Sequence, residues 1–263
     1  MEKNKKTGEW KQKVPVISQE CLASGVYSMW IEAADMAAAA RAGQFFSLYT
    51  KDASRLLPRP ISICEIDREQ GRLRFVYRVA GAGTKEFSRY CPGDDITVLG
   101  PLGNGFPVEE DPKRRAFLVG GGIGIPPMLQ LAKELSCEKQ ILLGCRDELF
   151  LNREMERYGN VWLATEDGSA GTQGNVLDII QEHGLIADVI YACGPTPMLR
   201  ALKEYAAQNS MECWISLEER MACGVGACLA CVCQSKEVDR HSHVHNKRIC
   251  KDGPVFAAWE VEL

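Results

Sequence analysis

Five of the twelve cysteines lie within residues 223–250, and this cluster constrains the fold more than any other feature of the sequence. The other seven are scattered singly, as small buried apolar side chains often are. The chain shows no export signal, and reducing compartments keep thiols unpaired, so we expect no disulfide framework. The tail must therefore fold so that several thiols converge on a metal.

Four of these cysteines follow a recognisable spacing. Cys223, Cys228 and Cys231 form a C-x4-C-x2-C run, and Cys250 follows it, which is the plant-type pattern of a [2Fe–2S] cluster. Small residues within the run let backbone N–H groups approach the sulfurs. Zinc is the alternative. A four-cysteine zinc site usually shows two C-x2-C pairs, however, and the second pair is missing.

Two other groups near the run are candidate ligands. Cys233 would share a strand face with Cys231, so geometry alone does not exclude it. His241, His243 and His245 alternate along the chain. We expect these histidines to form a polar loop between the third and fourth cluster cysteines, since Asp239 is the nearest supporting carboxylate in the sequence.

Composition and charge exclude several function classes. The formal net charge is −4, which leaves no basic excess to displace counterions from nucleic acid. The longest uncharged stretch, residues 116–132, is broken by glycines and by Pro126-Pro127, so it does not predict a membrane helix. The lysine-rich first residues lack the apolar core of a secretory signal. We expect a cytoplasmic protein that binds neither nucleic acid nor membrane.

The hydrophobic pattern divides the chain into three predicted domains. Residues 1–108 show short strands with period-two alternation and a single helix near residues 84–90, which predicts an antiparallel β-barrel. Residues 109–217 begin with a charged linker and then alternate strands with helices. This predicts a parallel-sheet α/β domain covered on both faces. Residues 218–263 form a small cysteine-rich third domain.

Two turns at strand ends indicate a dinucleotide site. One is Gly120-Gly-Gly-Ile-Gly-Ile-Pro-Pro-Met128, and the other is Cys193-Gly-Pro-Thr-Pro-Met-Leu199, at the carboxyl edge of the same predicted sheet. This pair, placed after a barrel, resembles the nicotinamide-binding domain of the ferredoxin–NADP reductase superfamily. The resemblance implies that NAD is bound by Gly121, Gly122, Gly124, Gly194 and Pro195. It also implies that Cys193 lies near the nicotinamide as a catalytic-site residue without acting as a covalent nucleophile.

The first domain resembles the flavin domain of the same superfamily. Arg59-Pro60-Ile61-Ser62 is similar to its Arg-x-Tyr-Ser/Thr motif, with Ile61 at the aromatic position, and a guanidinium can bind a phosphate bidentately. Gly83 and Thr84 open a predicted helix and offer a second phosphate site. Two phosphate-binding elements favour FAD over FMN. The strand residues Val76, Tyr77 and Arg78 resemble the family's second flavin contact.

A wider match narrows the family. Residues 216–231, Gly100-Pro-Leu-Gly-Asn-Gly-Phe106 and Thr165-Glu-Asp-Gly-Ser169 resemble the electron-transfer subunits of type B dihydroorotate dehydrogenases. The resemblance covers the chain from about residue 14 to its end. It implies electron flow from dihydroorotate through the FMN of a catalytic subunit, a [2Fe–2S] cluster and FAD to NAD+ in pyrimidine (UMP) biosynthesis. It also implies a heterotetramer with two copies of each subunit.

The residues by themselves predict a similar order of cofactors. NADH exchanges electrons in pairs and a [2Fe–2S] cluster one at a time, whereas a flavin does both and belongs between them. The three domains leave no segment for a substrate domain, so we expect a partner polypeptide. One alternative is an NADH-dependent flavin and iron–sulfur reductase that serves an oxygenase, a hydrogenase or a sulfide-oxidising complex. Another is a zinc-stapled nucleotide-binding regulator without redox chemistry.

Overall fold

The computed structural model describes residues 10–108, 111–146, 148–238 and 243–263. Its first part is a closed barrel of six antiparallel strands in the order β1-β2-β5-β4-β3-β6, as the period-two pattern predicts. The strands are β1 (Trp10–Ala23), β2 (Val26–Glu32), β3 (Phe45–Tyr49), β4 (Arg59–Asp67), β5 (Arg72–Arg78) and β6 (Asp95–Leu102). Alternate side chains fill the interior, where the rings of Phe46 and Phe75 meet edge to face with centroids 5.4 Å apart.

Residues 10–108 contain two helices, α1 (Ala34–Ala39) and α2 (Ala82–Phe87). Helix α2 is the predicted one. The expectation of a single helix is wrong, because α1 is present as well. Alanine has the highest helix propensity, and the alanine-rich run after Glu32 forms α1, with Met36 and Ala37 buried against the barrel. The run lacks a polar face, so its periodicity gave no signal of a helix.

The second part is a seven-stranded sheet in the order β10-β9-β8-β7-β11-β12-β15. Its strands are β7 (Arg115–Gly121), β8 (Glu138–Cys145), β9 (Asn160–Thr165), β10 (Thr172–Gln173), β11 (Val189–Cys193), β12 (Glu212–Ser216) and β15 (Val255–Ala257). All neighbours are parallel except β12 and β15. The carboxyl ends of β7 and β11 lie side by side, with Cys193 opposite Gly120.

Four helices pack on this sheet: α3 (Ile125–Glu134), α4 (Asn152–Met155), α5 (Val176–Glu182) and α6 (Thr196–Gln208). The predicted helix over residues 147–158 is reduced to the single turn α4. Leu151, just before α4, has a φ of +64°, which a helix cannot contain. Asp147 lies outside the described residues.

The cysteine-rich segment leaves the sheet after β12 and returns to it. It contains the hairpin β13 (Val232–Gln234) and β14 (Asn246–Arg248), the one-turn helix α7 (Ile249–Asp252), and then β15. Trp214 and Ser216 of β12 pair with Ala257 and Val255 of β15. The last strand of the predicted third domain is therefore part of the second domain's sheet, and the boundaries at residues 108 and 217 stay predictions.

The barrel contacts the sheet domain mainly through α3 and α4. The Gln130 side-chain oxygen accepts a hydrogen bond from the Ile66 N–H at 2.7 Å. The buried Arg74 of β5 donates from Nη2 to Oε1 of Glu154 in α4 at 3.1 Å. These contacts fix the two domains against each other. Across the described ranges, no helix is both long and apolar enough to cross a membrane.

Candidate functional site

A cavity of about 360 Å³ lies where the barrel meets the sheet domain. The adjacent strands β4 and β5 line it, because the first residues of β4 and the last residues of β5 face the same opening. The predicted flavin-binding residues found in its wall are Arg59, Pro60, Ile61, Ser62, Val76, Tyr77, Arg78 and Thr84. The structure thus brings together in one cavity two sequence segments that were predicted separately.

Gly83 is packed against the Arg59 guanidinium. An added Cβ at Gly83 would clash with the Arg59 guanidinium and displace it from the start of α2. Thr84 closes this turn, since its Oγ1 accepts hydrogen bonds from the N–H groups of Ala80 at 3.0 Å and Gly81 at 3.2 Å. The guanidinium and the turn together form a cationic cradle that fits a pyrophosphate.

A second cavity of about 540 Å³ lies at the carboxyl edge of the parallel sheet. The five predicted dinucleotide residues Gly121, Gly122, Gly124, Gly194 and Pro195 all line it. The two turns touch, because a Cβ on Gly124 would lie 2.3 Å from the Cys193 carbonyl oxygen. Gly122 has a φ of +53° and open space beside it. The sheet edge therefore presents backbone at close range to a ligand, as a dinucleotide site requires.

Cys193 lies at the end of β11 and is fully buried. Burial raises the pKa of its thiol, the Glu218 carboxylate raises it further, and a hydrogen bond with the Ser216 side chain opposes both. A thiol in these surroundings stays protonated and is a poor nucleophile. This agrees with the expectation that Cys193 forms no covalent bond, while its place near a bound nicotinamide stays a prediction.

The two cavities share a wall of four residues: Ile123, Leu217, Glu218 and Glu219. None of the four was predicted from the sequence as a site residue. A usable signal existed, since residues 217–219 follow β12 directly, beside β11 at the carboxyl edge where ligands bind. The Glu218 side chain is exposed to solvent at the edge of both cavities, and desolvation by the protein around it raises the pKa of its carboxyl group.

Cys223, Cys228 and Cys231 lie in the loop before β13, and Cys250 in α7 lies beside them. Backbone N–H groups point at their sulfurs: Val225 N and Ala227 N lie 3.4 and 3.3 Å from Cys223 Sγ. Gly226 N lies 3.1 Å from Cys250 Sγ, and the N–H of Cys250 points at Cys231 Sγ from 3.4 Å. The positive φ angles of Gly224 and Gly226, +71° and +83°, bend the loop into this shape.

The thiols fall into two interacting pairs, Cys223 with Cys228 and Cys231 with Cys250. Burial acts to raise the pKa of Cys223, but hydrogen bonds from three backbone N–H groups and the Cys228 thiol outweigh it and lower that pKa to about 6. In the described residues, no three His, Cys, Asp or Glu side chains surround one point as ligands of a single ion. Two pairs of thiols with N–H donors aimed at sulfur fit a two-iron cluster, in which each iron takes two cysteines.

The other candidate ligands lie elsewhere. Cys233 belongs to β13, opposite Lys247, and lines the dinucleotide cavity. Burial raises the pKa of Cys233 to about 11. His243 and His245 are exposed, and Nδ1 of His245 lies 3.0 Å from the Lys236 carbonyl oxygen. His241 lies outside the described residues.

Known proteins match the chain over nearly its full length. Residues 218–262 match the family described as the iron–sulfur cluster binding domain of dihydroorotate dehydrogenase B. A protein of Geobacillus thermodenitrificans (strain NG80-2), named dihydroorotate dehydrogenase B (NAD+), electron transfer subunit, is 43% identical over 260 residues, 96% of this chain and 99% of the relative. A protein of the same name from Listeria monocytogenes serovar 1/2a (strain ATCC BAA-679 / EGD-e) is 45% identical over 256 residues, 94% and 97% of the two chains.

Solved structures share the fold. The structure of an NADH-dependent reduced ferredoxin–NADP oxidoreductase, studied for flavin-based electron bifurcation, superimposes with a TM-score of 0.84 and 29% identity, covering 95% of this chain and 89% of that one. The ferredoxin reductase of carbazole 1,9a-dioxygenase superimposes with a TM-score of 0.64 and 18% identity, covering 77% and 67%. The first likeness extends through the third segment, and the second shows the fold alone.

Proposed function

The chain belongs to the family of electron transfer subunits of dihydroorotate dehydrogenase B (NAD+), and from this premise we propose that it carries electrons from an FMN-containing catalytic subunit to NAD+ in pyrimidine biosynthesis. The observation that carries the proposal is that the three sites adjoin one another. The dinucleotide and flavin cavities share one wall. Met221, in the flavin cavity, lies two residues before the first cluster cysteine.

This arrangement suits the electron chemistry of the three groups. FAD exchanges electron pairs with NAD+ as hydride, and a [2Fe–2S] cluster exchanges single electrons. Together the two groups supply the conversion between paired and single electrons. The protein supplies position. The cluster loop, residues 221–235, packs on the barrel, since a Cβ on Gly224 would lie 2.9 Å from Ser47 Oγ in β3. The flavin cavity therefore borders both of the other sites.

We assign the contacts to the cofactors as follows. Arg59 and the Gly83-Thr84 turn bind the FAD phosphates, and strands β4 and β5 line the isoalloxazine. The glycine turns after β7 and β11 bind NAD. Cys223, Cys228, Cys231 and Cys250 ligate the cluster. The support for these roles is the convergence of each set on one cavity or one loop.

Glu218 supplies a proton at the junction of the cavities. A hydride carries two electrons and one proton, whereas a cluster passes electrons alone, so each hydride given to NAD+ requires one proton to be taken up beside the flavin. Glu218 lines both cavities, and its raised pKa keeps the carboxyl group protonated at a higher pH than that of an ordinary glutamate.

The partner docks on the cluster loop. Residues 221–235 contain no charged side chain, although Cys228 and Leu229 are exposed there and Leu229 keeps 46% of its surface accessible. An exposed apolar face next to redox ligands suits a lasting contact with another subunit. We propose two copies of each subunit in the complex. We place the complex in the cytoplasm, where thiols stay reduced and the cluster cysteines remain available as ligands.

The test compares the separate subunit with the reconstituted complex. Alone, the chain loaded with FAD and cluster should pass electrons from NADH to dyes but should not oxidise dihydroorotate. In the complex, Cys228→Ala should preserve dihydroorotate reduction of FMN and NADH reduction of FAD, yet abolish dihydroorotate-dependent NADH formation. If the coupled reaction survives without the cluster, or if the isolated chain oxidises dihydroorotate, the proposal fails. Electron delivery to a ferredoxin or oxygenase in preference to the catalytic subunit would support the reductase alternative.

A further inference from the structure

The wall of the dinucleotide cavity includes the cluster-bearing segment. Opposite the glycine turns, the cavity is lined by Val232, Cys233 and Gln234 of β13 and by Glu262 and Leu263. None of these residues belongs to the sheet-edge turns that hold a dinucleotide in the proposed function. The third segment therefore faces the same ligand from the other side.

Hydrogen bonds join this wall to the helix that begins at the second glycine turn. Arg200 Nε in α6 donates to the Leu263 carbonyl oxygen at 3.0 Å, and Lys203 Nζ donates to the Val261 carbonyl oxygen at 2.5 Å. The N–H of Glu262 donates in turn to the Gln234 carbonyl oxygen at 3.0 Å. Helix α6 begins at Thr196 beside the cavity. It is therefore linked to β13 by hydrogen bonds through residues 261–263.

The same strand holds the cluster ligands on its other side. β13 begins one residue after Cys231, and its partner β14 ends two residues before Cys250. The N–H of Ile249 donates to the Cys231 carbonyl oxygen at 2.8 Å, which ties the two cysteines together. Any displacement of β13 by a ligand in the cavity therefore moves the residues that ligate one end of the cluster.

Gln234 is the polar group on β13 best suited to contact a ligand. Its side chain is exposed and lines the cavity, and among the described residues its amide makes no hydrogen bond. A side-chain amide both donates and accepts, which suits a ribose hydroxyl or a carboxamide. The neighbouring Val232 and Cys233 offer apolar contact only.

We propose that β13 is a dinucleotide-binding element with Gln234 as its polar contact, and that NAD binding and the cluster are energetically coupled through this strand. The inference rests on the proposed function, since it takes the cavity's ligand to be NAD. Coupling of this kind is reciprocal. If dinucleotide binding changes the equilibrium constant for reduction of the cluster, then reduction of the cluster changes the dinucleotide affinity by the same factor.

The first test is NAD+ affinity, measured by calorimetric titration of the oxidised complex. Gln234→Ala should raise the dissociation constant about fivefold, the usual effect of losing one hydrogen bond. Asn246→Ala is the matched control, because Asn246 lies directly opposite Gln234 in the hairpin but does not line the cavity. Equal affinity of Gln234→Ala and wild type would overturn the proposal.

The second test reads the cluster directly. In fully reduced complex, NADH should change the EPR spectrum of the wild-type cluster, and in Gln234→Ala the same change should require about fivefold more NADH. An EPR spectrum that is identical with and without saturating NADH would overturn the coupling. Failure of wild type to bind NAD+ at all would instead overturn the proposed function, so the two failures are distinguishable.

Discussion

At the scale of single residues, the contact between Gly83 and Arg59 gives a direct test of the flavin site. Gly83→Ala should push the Arg59 guanidinium away from the start of α2, because the new Cβ would lie 2.2 Å from its Nε. Loss of a charge-assisted phosphate contact should weaken FAD binding by roughly 10- to 100-fold. The measurement is the FAD dissociation constant. Gly81→Ala should leave it unchanged, because Gly81 has extended backbone and open space around it. Equal affinities in the two variants would contradict the assignment of Arg59.

Glu218 gives a second test, through pH. Wild-type NADH formation from dihydroorotate should fall as pH rises through the pKa of Glu218, because the proton is lost there, and partial desolvation places that pKa above the value of an ordinary glutamate. Glu218→Gln cannot donate a proton, so it should be slower by about 100-fold at low pH and should lack this limb of the profile. Rates measured across pH in the complex check both points. Glu219→Gln, in the same shared wall, is the control. Matching profiles for Glu218→Gln and wild type would exclude it as the donor.

At this scale, the residues that could be predicted from the sequence are those with a local signal. Arg59, Ser62 and the glycine turns lie within short motifs, and all of them line the expected cavities. Glu218 was missed although its position directly after β12 was a usable signal, whereas Gln234 was missed because its proposed role depends on a tertiary contact. Nothing in the sequence near Gln234 shows that β13 folds back against turns more than 30 residues earlier in the chain, at Gly194 and Pro195.

At the scale of elements, substitutions in the cluster loop distinguish the cysteines that bind the cluster from a nearby cysteine that does not. Cys231→Ala should remove the iron and the visible absorption of the cluster, since four thiolates are required. Cys233→Ala should retain both, because that thiol faces the dinucleotide cavity and has a pKa raised to about 11. Iron content and the EPR signal of the reduced protein check the pair. Zinc without iron in protein prepared anaerobically, or a cluster lost on changing Cys233, would contradict the ligand set.

The contact between β5 and α4 shows how the barrel and the sheet domain are fixed together. Arg74, whose side chain is only 7% exposed, pairs with Glu154 and Glu65 and donates from Nε to Ser28 Oγ at 2.8 Å. Arg74→Ala should lower the free energy of unfolding by about 3 kcal/mol, because it leaves carboxylates without their partner. Urea denaturation measures this change. Arg115→Ala breaks the exposed pair with Asp188 and should cost at most about 1 kcal/mol. Equal losses would show that burial adds nothing to the Arg74 pair.

Most elements were predictable because apolar alternation and strand–helix rhythm are properties of the local sequence. The exceptions have physical causes. The short helix α1 is almost uniformly alanine and shows no amphipathic period, and α4 is cut short by the left-handed Leu151. Strand β15 is three residues long and forms only because β12 offers a free edge. That edge is created by the rest of the fold, so no local sequence pattern predicts β15.

At the scale of the whole molecule, the uncharged cluster face predicts how the complex responds to salt. Affinity for the catalytic subunit should change less than about threefold between low and high salt, because exposed ion pairs are what screening weakens. Leu229→Asp should reduce affinity at least about tenfold. Aspartate tolerates the left-handed backbone at this position, where φ is +58°, so the loop should keep its shape. Ile186→Asp, on an exposed apolar residue outside the cluster loop, is the control. Binding titrations at several ionic strengths would decide, and a steep salt dependence would point to a charged docking surface elsewhere.

The return of the chain from the cluster loop to the sheet through β15 has a consequence for chain entropy. Residues 217–254 form a loop whose two ends are anchored on neighbouring strands. Iron bridges across such a loop divide it into shorter segments, and shorter closed segments lose less freedom when they order. Metal insertion therefore reinforces the pairing of the sheet's outermost strand. Oxidative destruction of the cluster would loosen the edge of a domain that holds no iron itself, and damage at one prosthetic group would become a defect of the neighbouring nucleotide site.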